Sequence, residues 1–348
     1  MKVLFLQNVL FDYRVPFYNG LVKRGLDVTV VHSGKKLDDT RCLFTQRVVP
    51  EKSVAGFHWQ LHRPRYADFD VVIAMFDPHW PQNLACMLNH RGYRRVLWGH
   101  GFGSNALGNK LRCLIANRAD AFVLYTEQGR QQVINGGVEP SITHVANNTV
   151  EVANHEGKSS AGQHFLYVGR LQARKRIDLA LTAFADVISK HNDSLLRFDI
   201  VGDGDIRDEL IELTRSLGIA EKVQFHGAIT DNQQLKPLFH NSLAYVSPGH
   251  LGLGINHAMA FGTPVLSVAN RAHAPEVAVL NQNNSIMFKA DTDQQIIVGL
   301  SKHMLKLATN PDYAMALSSR SYQDYVDHCS MDRMLDGFEA AIRGSGEN

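Results

Sequence analysis

The residues best suited to chemistry gather in a single short stretch. Positions 168–176 read Val-Gly-Arg-Leu-Gln-Ala-Arg-Lys-Arg, and four of them, Arg170, Arg174, Lys175 and Arg176, are cations. An apolar run precedes the stretch and a helical pattern follows it, so it reads as a strand-to-helix turn. Free backbone amides at a helix start attract an anion. Arg170 can fork onto phosphate oxygens, and Lys175 can add a point charge. Cations at that end of a helix oppose its dipole unless an anion is present. The competing reading is a solvated basic helix start.

Two further turns follow strand patterns. In Val201-Gly202-Asp203-Gly204-Asp205 the paired aspartates could hold a metal on a diphosphate. The reading we favour is a tight glycine turn in which Asp205 caps or charges the next helix, with no metal. The second turn is Ser247-Pro248-Gly249-His250-Leu251-Gly252-Leu253-Gly254-Ile255, which opens a short helix bearing His257. Free amides from Gly252 to Ile255 would point beyond the strand end. A dinucleotide fingerprint is absent, because the first strand is followed by Gln7-Asn8-Val9-Leu10-Phe11. Two first-half residues complete the set. His100 lies between Gly99 and Gly101 after a strand pattern, and reads as a site residue or a satisfied core histidine. Arg14 reads as an acceptor-side residue or an exposed helix-start arginine.

Positioning these residues needs strands that end side by side. Short apolar runs occur at 2–6, 27–32, 71–75, 96–98 and 121–125, separated by helical patterns at 16–24, 81–90, 106–117 and 127–135. The segment 150–163 breaks this rhythm and reads as a linker or exposed loop. Strand patterns then resume at 165–168, 198–201, 223–225, 244–246, 265–267 and 286–288. Helices are expected at 177–190, 206–216, 232–239, 255–261, 294–308 and 330–343. Continuous apolar runs alternating with helices indicate parallel sheets covered on both faces. The expectation is two doubly wound α/β domains, with ligands at the carboxyl ends of the strands and in a cleft between domains.

Composition agrees with this picture and excludes others. The chain has 348 residues, with 36 Lys/Arg against 34 Asp/Glu, so a disordered chain or a whole-protein nucleic-acid binder is excluded. No apolar run reaches the length of a membrane span. The four cysteines, Cys42, Cys86, Cys113 and Cys329, are far apart, which points to reduced thiols in a cytoplasmic protein. Through His155 there are 18 Lys/Arg against 12 Asp/Glu, and beyond it 18 against 22. A basic first half suits an anionic partner or membrane face, or is ordinary unevenness. The stretch 107–118, with Lys110, Arg112 and Arg118, reads as a membrane-surface helix or an ordinary amphipathic one.

Taken in order, these segments resemble glycosyltransferase family 4, retaining enzymes of the GT-B fold, in the bacterial polysaccharide-assembly branch. The resemblance is strong over 165–288, through Gly169-Arg170-Leu171…Lys175, Val201-Gly202-Asp203-Gly204, Val223-Gln224-Phe225-His226-Gly227, Ala258-Met259-Ala260-Phe261-Gly262-Thr263-Pro264-Val265 and Pro275-Glu276-Val277. Ser330-Met331-Asp332-Arg333-Met334 also fits, as do Tyr13-Arg14-Val15-Pro16-Phe17-Tyr18 and Trp98-Gly99-His100-Gly101. It implies two Rossmann-like domains facing across a cleft: an acceptor-binding domain at 1–155 and a nucleotide-sugar domain at 156–328. The helix at 329–348 would cross back to the first domain.

The resemblance also implies roles. Arg170 and Lys175 would hold the donor diphosphate, with Gly169, Gly202 and Gly227 in the donor site. The segment Gly249, His250, Leu251, Gly252, Leu253 and Gly254 would contact phosphate and sugar through its amides. His100 would line the reaction centre, and Arg14 is a weak acceptor-side candidate. The family commonly carries two glutamates seven residues apart; here Gly249 and His257 occupy those positions. A neutral His257 could bond a ribose hydroxyl or simply pack under its helix. The implied reaction moves a sugar from a UDP-sugar or GDP-mannose type donor to a glycan or lipid-linked acceptor in cell-surface polysaccharide or lipopolysaccharide synthesis. It needs no cofactor and no metal, and would occur in the cytoplasm or peripherally at the inner membrane face. The rivals are a non-catalytic nucleotide-sugar-binding partner protein and a sugar-nucleotide epimerase.

Overall fold

The alternation of apolar runs and helices builds two parallel sheets, each in its own unit. The computed structural model describes residues 1–61, 63–88, 92–103, 106–191 and 194–344. One unit comprises Met1–Glu151 and the segment from Met331 onward; the other is Val152–Ser330.

In the first unit the elements run β1 (Lys2–Val9), α1 (Val15–Lys23), β2 (Asp27–Ser33), β3 (Thr45–Val48), β4 (Glu51–Val54), β5 (Phe57–Gln60), β6 (Val71–Met75), α2 (Pro81–Ala85), β7 (Arg94–Gly99), α3 (Ala106–Ala116), β8 (Ala121–Leu124), α4 (Glu127–Asn135) and β9 (Thr143–Val145). The sheet order is β3-β2-β1-β6-β7-β8-β9, with all neighbours parallel. The chain winds outward from β1, then crosses to β6, so the order reverses between those two strands. Their carboxyl ends mark the natural ligand position of such a sheet. β4 and β5 form a separate antiparallel hairpin.

The second unit repeats the plan with β10 (His164–Val168), α5 (Ile177–Lys190), β11 (Arg197–Val201), α6 (Arg207–Ser216), β12 (Val223–Gly227), α7 (Asn232–His240), β13 (Ser242–Val246), α8 (Gly254–Ala260), β14 (Val265–Val268), β15 (Ser285–Phe288), α9 (Asp293–Thr309) and α10 (Pro311–Asp324). The order β12-β11-β10-β13-β14-β15 is again parallel and reverses between β10 and β13. A π-helical turn, Tyr325–Cys329, then leads to α11 (Met331–Arg343).

The helical spacing of Met334, Leu335, Phe338, Ala341 and Ile342 has its reason in the first unit. These side chains enter the core formed by Phe5, Phe17 and Trp98. The Phe338 ring lies 4.7 Å from Phe17 and 4.9 Å from Trp98. A fully buried side chain of this size contributes roughly 1.5–3 kcal/mol, which ties the last helix to the beginning of the chain. On the outer face Arg24 reaches Asp336 at 2.7 Å and Glu339 at 3.0 Å.

The structure departs from the sequence reading in several elements. β3 was not expected because it is a polar, mostly exposed edge strand, Thr-Gln-Arg-Val. β9 has three residues, too few for a pattern. α10 buries Ala314, Ser318 and Ser321 beside Leu317, so its inner face carries little hydrophobic signal. The helix expected at 81–90 ends at Ala85 and tightens into a 3₁₀ turn, Cys86–Leu88; positions 89–90 lie outside the described residues. The segment 150–163 is no free loop at its centre. Glu156 pairs with Lys236 at 3.1 Å, the His155 ring packs against Tyr325, and Lys158 turns its ammonium inward onto the Ser242 carbonyl. Among the described residues no helix is long and apolar enough to cross a membrane.

Candidate active site

Three adjacent strands of the second sheet, β12, β11 and β10, end around a cavity of about 700 Å³. Its lining comes from Val168, Gly169, Arg170 and Gln172 after β10, from 202–205 after β11, and from Ala228, Ile229 and Thr230 after β12. Backbone bonds carry the sheet pattern past the strand ends. The Gly169 amide donates to Val201 at 2.9 Å, the Leu171 amide to Asp203 at 2.9 Å, and the Gly202 amide to Gly227 at 2.7 Å. The turns approach so closely that a Cβ at Gly202 would lie 1.9 Å from the Gly169 carbonyl oxygen. Only glycine fits there.

The four cations are not equivalent. Arg176 is held by Asp178 at 3.1 Å and Asp293 at 2.6 Å, and those bonds push its already high pKa further up. Its charge is therefore compensated without a ligand. Arg174 bonds Gln172. Arg170 is exposed at the cavity and makes no side-chain bond among the described residues. Lys175 is half-buried and donates one bond to the His250 carbonyl at 2.6 Å, leaving two ammonium hydrogens. Burial, and then the nearby Arg174, push its pKa down. An anion beside Lys175 would reverse that shift.

The next turn is zipped to this one. The Gly249 amide donates to Lys175 at 3.1 Å and the His250 amide to Arg174 at 3.2 Å. A Cβ at Gly249 would meet the Arg174 carbonyl oxygen at 2.1 Å, so this backbone has no room for the glutamate common in the resembled family. Burial, followed by Lys175 and Arg174, lowers the His250 pKa, which makes that imidazole neutral. The amides ahead divide into two groups. The Leu251 amide donates to His273 Nδ1 at 3.2 Å, and His273 Nε2 in turn bonds the Val268 carbonyl at 2.8 Å. The Ile255 amide donates to Gly252. Those of Gly252, Leu253 and Gly254 make no bond among the described residues. His257 stacks on Phe239 with ring planes 9° apart, and burial lowers its pKa. It is a neutral, packed imidazole.

Of the aspartate pair, Asp203 accepts from its own neighbour, Gly204 N–H, at 2.8 Å. Asp205 gives α6 no capping bond; the first turn of that helix is charged by Asp208 and Glu209. Among the described residues no three His, Cys, Asp or Glu side chains gather as a metal-binding set.

In the first unit, Arg14 is buried at 7 % exposure, so the exposed helix-start reading fails. Its guanidinium lies 4.7 Å from the Trp98 ring, 5.1 Å from Tyr13 and 5.8 Å from Tyr125, and donates to the Tyr125 hydroxyl at 3.3 Å. His100 is exposed just past β7 rather than in the core, with its ring 4.5 Å from the same Tyr125. Tyr125 therefore joins Arg14 to His100 at the carboxyl ends of β7 and β8. The sequence reading missed Tyr125, which looked like the last residue of an apolar strand, and His273, whose role depends on a turn 22 residues away.

The comparisons with known proteins agree with this layout. The family model for glycosyl transferases group 1 matches residues 151–324, half of the chain and almost wholly within the second unit. The chain belongs to this family. An uncharacterized glycosyltransferase of Methanocaldococcus jannaschii is 31% identical over 150 residues, covering 41% of this chain and 37% of the relative. The poly(ribitol-phosphate) alpha-N-acetylglucosaminyltransferase of Staphylococcus aureus is 20% identical over 221 residues, covering 64% and 43%. The chain thus spans less than half the length of these relatives. Among solved structures, Anabaena HepE in complex with UDP superposes with a TM-score of 0.67 at 15% identity, covering 99% of this chain and 100% of that one. The shared architecture is the GT-B pair of Rossmann-like domains.

Proposed function

We propose that this group 1 family member is a retaining glycosyltransferase of family 4. It transfers a sugar from a nucleoside-diphosphate sugar to a hydroxyl of a glycan or lipid-linked acceptor in bacterial cell-surface polysaccharide or lipopolysaccharide synthesis. The observation that carries the reading is the uncompensated positive charge of Arg170 and Lys175. Both stand on the turn after β10, at the carboxyl end of the strand where the sheet order reverses, and Arg170 lines the cavity. A cavity of about 700 Å³ falls within the ordinary range for small-ligand sites. Two cations and the open amides of Gly252, Leu253 and Gly254 suit a diphosphate.

In this reading the bond between the anomeric carbon and the donor phosphate breaks, and the electron pair leaves with the phosphate. Arg170 and Lys175 stabilise that charge. An acceptor hydroxyl attacks from the same face, and its proton passes to the departing phosphate. Gly169, Gly202 and Gly227 shape the donor turns. The Gly249 and His250 backbone faces the sugar, and neutral His257 offers a hydrogen bond to ribose. On the first unit we assign His100 to the transferred sugar and Arg14 to the acceptor side. The Staphylococcus aureus relative acts on poly(ribitol-phosphate), which favours an acceptor bearing phosphate. The donor is a UDP-sugar or of the GDP-mannose type, and the work is done in the cytoplasm at the inner membrane face.

The test is a thermal-shift screen of nucleoside diphosphates and their sugars, followed by nucleoside diphosphate release across an acceptor panel. Stabilisation by one nucleotide, turnover that requires acceptor, and a product with the donor's anomeric configuration are expected. Binding without turnover would identify a binding protein instead, and isomerised nucleotide sugar without acceptor an epimerase. An inverted product would overturn retention.

A further inference from the structure

Asp199 stands mid-strand in β11 with 2% of its surface exposed, and two imidazoles share its carboxylate. His164 Nδ1 bonds Oδ2 at 2.7 Å, and His226 Nε2 bonds Oδ1 at 2.8 Å. An ionised carboxylate only accepts, so each ring donates. Burial pushes the Asp199 pKa up, but the two imidazoles outweigh it and hold the carboxyl below its ordinary value. A charge kept in a core needs such partners. The donor chemistry uses none of the three residues.

The imidazoles approach from opposite ends of the sheet. Asp199 pairs with Leu166 of β10 and with Gln224 of β12. His164 is the first residue of β10, two before Leu166. His226 comes two after Gln224, beside the carboxyl end of its strand. It is also an extra residue. Ile200 pairs with Phe225, but Val201 pairs with Gly227, so β12 bulges at His226. A bulge re-aims the chain beyond it. Here the chain leaves through Gly227, at a φ of 71°, into Ala228, Ile229 and Thr230, which wall the donor cavity. The Gly227 carbonyl accepts from the Gly202 amide at 2.7 Å. The His226–Asp199 bond therefore holds the residue from which both the wall and the Gly202 turn hang.

That wall follows β12, two strands from the β10 turn that bears Arg170, or about 10 Å at ordinary strand spacing. The open amides of Gly252, Leu253 and Gly254 follow β13, on the opposite side of β10. With the diphosphate at Arg170 and Lys175 and the sugar toward β13, the nucleoside is the part of the donor that reaches β12. We propose that His226, fixed by Asp199, is a positioning residue for the nucleoside end of the donor site. It touches no ligand itself; it sets the bulge that places 228–230 and the Gly227 carbonyl. His164 anchors the same carboxylate for stability alone. The nucleoside assignment rests on the donor-site reading, whereas the bulge does not.

Two measurements test the proposal. In hydrogen exchange followed by NMR without ligand, His226→Leu should speed exchange of the Gly202 amide at least about tenfold. His226→Gln, whose side-chain amide donates from nearly the place of Nε2, should restore protection. His164→Leu should lower the urea midpoint yet leave that amide protected. In calorimetric titration with UDP and with GDP, the nucleotide that binds wild type should bind His226→Leu about tenfold more weakly and His164→Leu unchanged. A general loss of core stability would move both histidine variants alike. His226→Asn, too short to reach Asp199, repeats the loss should His226→Leu not fold. Unchanged exchange or unchanged affinity in the loss variants, or equal effects from His164→Leu, would overturn the proposal. A wild type that binds neither nucleotide would overturn the donor reading instead, and the exchange result would still decide whether His226 holds the wall.

Discussion

The two units share a topology yet build their candidate sites from different material. In the second unit the site is mostly backbone: glycine turns at van der Waals limits, open amides, and two cations on one nine-residue stretch. In the first it is mostly side chain. Tyr13, Arg14, Trp98, His100 and Tyr125 come from three separate segments and meet through ring contacts. A backbone site is fixed by the close approach of its turns, so few substitutions preserve it. A side-chain cage can be rebuilt from other residues on the same sheet, which suits the acceptor role proposed for the first unit.

The largest expected effect breaks the second site alone. Arg170→Ala and Lys175→Ala should each lower kcat/KM by about two orders of magnitude or more, read as nucleoside diphosphate release. Wild-type turnover in both would remove the donor assignment. Gly249→Glu restores the common family residue in the sequence, yet should destabilise the fold by about 1–3 kcal/mol and reduce activity, because the Arg174 carbonyl occupies the space of its Cβ. Gain of function there would show that the turn opens freely. Arg14→Met should raise the acceptor KM about tenfold while leaving nucleotide-induced thermal shift intact, since its cage lies wholly in the first unit. A lost nucleotide shift would erase the proposed division of labour.

Two smaller effects sharpen the contrast. Burial pushes the Lys158 ammonium pKa down to about 7 from an ordinary 10.5. Below pH 7 both folded and unfolded chains carry the proton, and the burial penalty is fully present. Between about 7 and 10.5 the unfolded chain binds more protons, so stability rises with pH, by at most about 1.4 kcal/mol per unit. Lys158→Met should flatten that rise, with its largest gain at or below pH 7, as read from urea midpoints across the range. Arg176→Ala should cost under about 1 kcal/mol and leave turnover near wild type, separating the structural cation from its neighbours.

Much of the second unit was legible because its signals are local. The cation run, the glycine pairs and the apolar strand runs are each read within a few residues, and the structure places Arg170 and the glycine turn 202–204 on one cavity rim. Individual assignments inside that region were not legible. Whether the Leu251 amide is open depends on His273, and whether Arg176 is free depends on Asp293, 117 residues away. In the first unit the strands were visible but the edge strand β3, the hairpin and Tyr125's link between Arg14 and His100 were not. Polar edges carry no apolar alternation, and ring contacts have no spacing rule.

The sequence by itself determined the parallel α/β plan, the basic turn after β10, and the amphipathic last helix, because each follows from periodicity or turn chemistry over neighbouring residues. The tertiary structure decided which cations and amides are left unpaired, and that Arg14 is buried rather than exposed. It also brought Leu111 of α3 beside Phe57 and Leu88. Those outcomes depend on which distant groups satisfy each charge, donor and apolar surface. That pairing exists only once the chain has folded.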